Sequence, residues 1–207
     1  MKSILQVARE QLAAFIKDNE TIKAFERLFR VGARFEDFRW VDIDFPVIIR
    51  TTGPGIPTLA ALNGNIVSPQ WQVNDYNSCE SQETIHGWDQ QTALEWHIHL
   101  TTNGLEAVNK YVRFELEYGY VAPNSAWVFP PVFTTPDLLI PANTATKTMM
   151  VMNFTTFTPT AGLGGHVIAR LKRVASVGAA PAANPWIPML QAHVLTDTTG
   201  SRTTSAK

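Results

Sequence analysis

At 207 residues and 23.0 kDa the chain has room for one domain with an appendage, or for one large all-β domain, and it is long enough to bury a proper core. Hydrophobic residues make up 45% and charged residues only 17%, with Thr, Asn, Pro and Gly plentiful, which favours strands and turns under a polar but weakly charged surface. A formal net charge of -1 without any Lys/Arg-rich run argues against nucleic acid as the main partner, because that would need a basic footprint.

Residues 3–30 read as helical: Leu5, Ala8, Leu12, Phe15, Ile22 and Phe29 recur at helical spacings with charged residues between them. Asp18-Asn19 offers an N-cap, so two helices or one long one fit equally, and the heptad spacing allows a docking helix as well as one folded back on its own domain. Arg9, Glu10, Lys17 and Asp18 interrupt this stretch where a signal peptide would need an apolar core. No run of about 18 apolar residues suggests a membrane span, so synthesis and folding in a cytoplasm are expected.

After Gly32 the period changes from helical to two: residues 38–47 place Phe38, Trp40 and Asp42 on one side and Val41, Ile43 and Phe45 on the other. Turn residues at 51–57 and Asn63-Gly64-Asn65 frame a short insertion before a run at 66–73. Further strand-like runs follow at 83–89, 94–102, 110–120, 126–133, 147–154, 165–176 and 187–196, and Gly162-Leu163-Gly164-Gly165 reads as a hairpin turn. Such spacing without helical patterns predicts an antiparallel β-sandwich or jelly roll. The expected layout is a helical anchoring arm over 1–35, a β-domain over 36–195 and a polar tail over 196–207, ordered only against a partner.

The stretch Ile85 to Leu100 concentrates candidate chemistry, gathering His86, His97 and His99 together with Trp88 and Trp96. His97 and His99 stand two apart on a strand and so share a face. Such a pair can bind metal, carry protons or sit in a hydrogen-bonded sheet. A cupin-like enzyme site would want a Glu four or five residues later, whereas the first after His99 is Glu106; His166 or His193 could complete a ligand set. Alternatively, three chains meeting on an axis would surround one divalent transition metal with six imidazoles.

No nucleophile motif stands out, and the lone Cys79, which can form no intrachain disulfide, reads as a small buried apolar side chain. Glu115 and Glu117 share a strand face, and an exposed face suits them better than a glycosidase pair, whose acids flank the sugar. Trp71, Trp88, Trp96 and Trp127 are natural core pieces, although exposed ones, with Trp71, Trp88 and Trp127 the candidates, would stack on sugar rings.

Three motifs in order, Ile85-His86-Gly87-Trp88, then Glu95-Trp96-His97-Ile98-His99-Leu100, then the closing run from His193 to Arg202 with Asp197-Thr198-Thr199-Gly200-Ser201-Arg202, resemble small virion structural proteins of tailed bacteriophages, of the fibre, spike or head-decoration type. The run Val41 to Pro46 resembles their start, so the likeness spans about residues 41–207. Leu100 stands where an aromatic would be expected, a departure that bears on a metal site more than on the fold. The resemblance implies a β-sandwich and a non-enzymatic role in the particle. A homotrimer is expected, located in the virion after synthesis in the bacterial cytoplasm, with the arm attached to capsid, portal, collar or tail. Host-surface glycan binding is the alternative role; neither nucleic acid nor membrane is an expected partner.

Overall fold

The computed structural model describes residues 39–47, 54–84, 88, 92–156, 158 and 164–196. The helical arm expected over 1–35, the tail beyond Thr196, His86, and Gly162 and Leu163 of the expected turn lie outside these residues. Twelve strands, and no helix, occur among the described residues. They are β1 (Arg39–Pro46), β2 (Thr58–Asn63), β3 (Ile66–Gln70), β4 (Tyr76–Ser78), β5 (Gln82–Glu83) and β6 (Glu95–Thr101), followed by β7 (Lys110–Val121), β8 (Phe133–Thr134), β9 (Leu138–Ile140), β10 (Met149–Asn153), β11 (His166–Val174) and β12 (Met189–Thr196).

All pairings are antiparallel, and they nest. The first strand pairs with the last (β1 with β12), β4 and β5 with β11, β6 with β10, and β7 with β8 and β9. The chain is thus one long hairpin. It is rolled over so that β12 also meets β6 and β11 also meets β7, giving one sheet in the order β1-β12-β6-β10 and another in the order β4-β11-β7-β8. The β2-β3 hairpin stands apart, turning at Asn63-Gly64, where Gly64 has a φ of 55°. Only glycine and a few polar residues adopt that conformation without cost.

The period of two explains why these segments pair as they do. In β7, Val112, Phe114, Leu116, Tyr118 and Tyr120 are buried, while Arg113, Glu115 and Glu117 alternate with them on the other face. The same alternation buries Trp96, Ile98 and Leu100 of β6, Leu190, Ala192 and Val194 of β12, and Val167, Ala169 and Leu171 of β11. The rows from both sheets form one hydrophobic cluster, in which Trp96 of one sheet meets Tyr118 of the other at 5.3 Å between ring centroids. Burying each Val, Leu, Ile or Phe of these rows contributes about 1.5–3 kcal/mol relative to leaving it exposed. Cys79 belongs to this cluster, and burial pushes its thiol up to about 12.

Two segments differ from the sequence expectation for identifiable reasons. The run 126–133 forms only a bridge between Val128 and Tyr120, because Pro130-Pro131 supplies no N–H to continue a ladder, and pairing resumes at Phe133. The inward row of β11 ends on Arg173, a fully buried cation. Its Nη1 donates to the Trp71 carbonyl and, at 2.8 Å, to Asn184 Oδ1. Burial pulls this guanidinium down to about 10 while the nearby Asp75 carboxylate pushes it back up, so it stays charged at neutral pH. Asp75 is buried too and is held by the Gln72 backbone N–H at 2.6 Å.

Removing Arg173 leaves the Trp71 carbonyl and Asn184 Oδ1 without their donor and takes away the Coulombic support of the buried Asp75. Arg173→Ala is therefore expected to cost about 3–5 kcal/mol, read as a lower midpoint in urea denaturation at neutral pH.

Candidate functional site

The outward face of the β1-β12-β6-β10 sheet carries two polar rows fixed by strand register. Asp42, His193 and Glu95 lie opposite one another across β1, β12 and β6, and the next row runs Asp44, Gln191, His97 and Asn153 across all four strands. His97 and His99 share this face, their rings 5.1 Å apart and edge-on, because Trp96, Ile98 and Leu100 take the inward positions. His193 sits on the diagonal from His97, with ring centroids 4.3 Å apart.

These contacts produce a compact group. Asp42, His97 and His193 each offer a nitrogen or carboxylate oxygen, and the three atoms lie within 4.8 Å of one another. His193 Nε2 donates to Asp42 Oδ1 at 2.7 Å, and Gln191 Nε2 donates to Asp44 Oδ1 at 2.7 Å beside it. His193 and Asp42 are half-exposed, whereas His97 is only 4% exposed. His97 Nδ1 is buried with no hydrogen-bond partner among the described residues. A cavity of about 270 Å³ adjoins the group, lined by Glu95, His97, Asn153, Phe154, Thr156 and His193.

Burial holds His97 below its ordinary value, with His193 and then His99 adding to that effect; the Glu95 backbone and Asp42 push the other way. His97 is therefore a neutral imidazole with available lone-pair density, next to an imidazole already oriented by a carboxylate. Two histidines and an aspartate in this arrangement can share a proton or hold a divalent cation. His166, the other candidate for a ligand set, is on β11 in the opposite sheet, 3.3 Å from Ser81 Oγ, and does not join them. Asp42 was legible only as one face of an alternating strand. Nothing local in the sequence announces that the first strand pairs with the last and sets Asp42 against His193.

The tryptophans divide. Trp71 is 0% exposed, its indole N–H donating to the Ile187 carbonyl at 3.2 Å, and Trp88 is 1% exposed, donating to Thr92 Oγ1 at 3.2 Å. Neither offers a face to a sugar ring; each fills the core instead, as a large apolar ring does when its N–H finds a partner. Trp127 is 41% exposed and stacks on Phe129 at 6.2 Å, beside a cavity of about 240 Å³ lined by Phe129, Gly119, Glu117 and Arg170. Glu117 and Glu115 face outward, each held by the cation directly opposite on β11, Arg170 at 2.6 Å and Lys172 at 3.5 Å. Both acids lie on one strand face rather than across a cleft.

No protein-family model and no curated protein matches the chain.

Because His97 is depressed in the folded state, the unfolded chain binds its proton first, near the ordinary histidine value of 6.5. The stability it contributes is present above that value and is lost as pH falls below it. In chelator-containing buffer the urea midpoint should drop between about pH 7.5 and about pH 5.5, and His97→Gln should shrink that drop.

Proposed function

We propose that the chain is a non-enzymatic structural protein of a tailed-phage virion, a spike, fibre or decoration component whose β-domain is a jelly roll. The observation that carries this reading is the nested pairing order. With the separate β2-β3 hairpin set aside and β4/β5 and β8/β9 each counted as one position, the eight remaining positions fall as 1-8-3-6 and 2-7-4-5 in the two sheets. This order supports the jelly-roll reading, since a double Greek key would produce it, and jelly rolls serve as viral capsid and lectin domains. The resemblance of the His-Gly-Trp, His-x-His and C-terminal motifs supports the same role.

Apolar side chains left outside the core also fit a subunit that packs against others. Leu59, Ile66 and Val67 of the β2-β3 hairpin, Met149 and Val151 of β10, and Trp127 and Phe129 are all exposed. In this reading the domain is a homotrimer, residues 1–35 join it to head, collar or tail, and the tail beyond 195 reaches a neighbouring subunit. Light scattering should then give a mass about three times 23.0 kDa; a monomer at every concentration would sink the trimer, and absence from purified particles would sink the virion role.

A second reading, attachment to a host-surface glycan, is favoured by the exposed Trp127–Phe129 ledge beside its cavity. Trp127→Ala should abolish binding to host-surface polysaccharide in a pull-down while leaving the assembly mass unchanged.

A further inference from the structure

We propose that Asp42, His97 and His193 form a binding site for one divalent transition-metal ion per chain, on the outward face where β1, β12 and β6 meet. This site is independent of the virion role and differs from an ion shared on a three-fold axis, because all its ligands come from one chain.

Three observations carry it. The donor atoms of the three side chains already lie within 4.8 Å of one another, although they come from the first, last and a middle strand. His97 is buried with Nδ1 unpartnered among the described residues, at the edge of the cavity that it lines together with His193. A buried polar nitrogen without a partner is costly, and a metal bond is one way to satisfy it. The adjoining cavity of about 270 Å³ gives an ion, and the waters that would complete its shell, a way in.

The chemistry selects the cation. Two imidazoles and one carboxylate suit zinc, cobalt, nickel or ferrous iron, whereas calcium and magnesium want oxygen donors throughout. Around a tetrahedral ion with bonds of about 2.0–2.1 Å, donor atoms stand about 3.3 Å apart. His193 Nε2 and Asp42 Oδ1 need only open from 2.7 Å, the ion replacing the proton they share, while His97 closes from no more than 4.8 Å. Strand register holds the three backbones, so side-chain rotation suffices. An ion here would clasp the closing edge of the rolled hairpin, tying β1 and β12 to β6.

The test is titration of chelator-treated full-length protein with Co²⁺, followed by calorimetry and visible absorption, with Zn²⁺ as competitor. The expected result is one ion per chain, with cobalt d–d bands that Zn²⁺ removes and a melting temperature that rises with added Zn²⁺. Asp42→Asn and His193→Ala should each weaken binding by roughly tenfold or more, a loss already typical of residues that merely hold a ligand in place. His99→Ala should leave it unchanged. Asp42 and His193 are half-exposed, so these changes leave the core filled; His193→Gln replaces the alanine variant should circular dichroism show that one unfolded. No binding by folded protein, or undiminished binding in the folded His193 and Asp42 variants, would overturn the proposal. One ion per three chains, lost in His99→Ala, would overturn it in favour of the shared axial site.

Discussion

The structure depends on the two-residue period of β6, which lies inside its sheet with both edges paired, to β12 and β10, and turns one face to the core and the other to the polar side. Its even positions, Trp96, Ile98 and Leu100, supply the largest rings and branched chains of the core from that sheet. Its odd positions, Glu95, His97 and His99, carry the polar face. A one-residue slip would exchange the two sets, placing three titratable groups in the core and an indole in water. Packing therefore fixes the register, and the register in turn places His97 against His193. The cluster on the outside is geometrically a product of the hydrophobic order on the inside.

Long alternating runs were legible in the sequence. β6, β7, β11 and β12 span seven to twelve residues, enough positions for the period to declare itself. β4 and β9 have three residues each, too few for a pattern, and β2 reads as an insertion because Leu59, Ala60 and Ala61 run together without alternation. The run 126–133 has the aromatic and β-branched composition of a strand but also the paired prolines that forbid one. Composition does not distinguish Trp71 from Trp127; only the fold buries one and exposes the other. For the site, the period placed His97 and His99 together, but the carboxylate and third imidazole come from strands joined across the chain. The neighbouring Asp44 and Gln191 contact spans 147 positions, beyond any local signal.

Charge is used sparingly and in two distinct ways. On the outer face of the second sheet, Glu117–Arg170 and Glu115–Lys172 are cross-strand pairs in register. They are partly solvated, so each contributes no more than about 1 kcal/mol and serves mainly to specify which strand lies opposite. Arg173, by contrast, is enclosed, and its hydrogen bonds to Trp71 and Asn184 tie β11 to the segments following β3 and preceding β12. A chain with few charges has placed one of them where its removal would be felt most.

The nested hairpin has a consequence for how the molecule comes to exist. Arg39 is paired directly with Thr196, so whatever precedes the first strand and whatever follows the last leave from one corner of the domain. The same pairing is the one of greatest sequence separation, and loop-closure entropy makes it the hardest to form early. The short connections from β7 to β8 and β9 are the local end of the roll. Within the roll, closure from that end outward costs the least chain entropy, and β1 lacks its β12 partner until the last strand has been made.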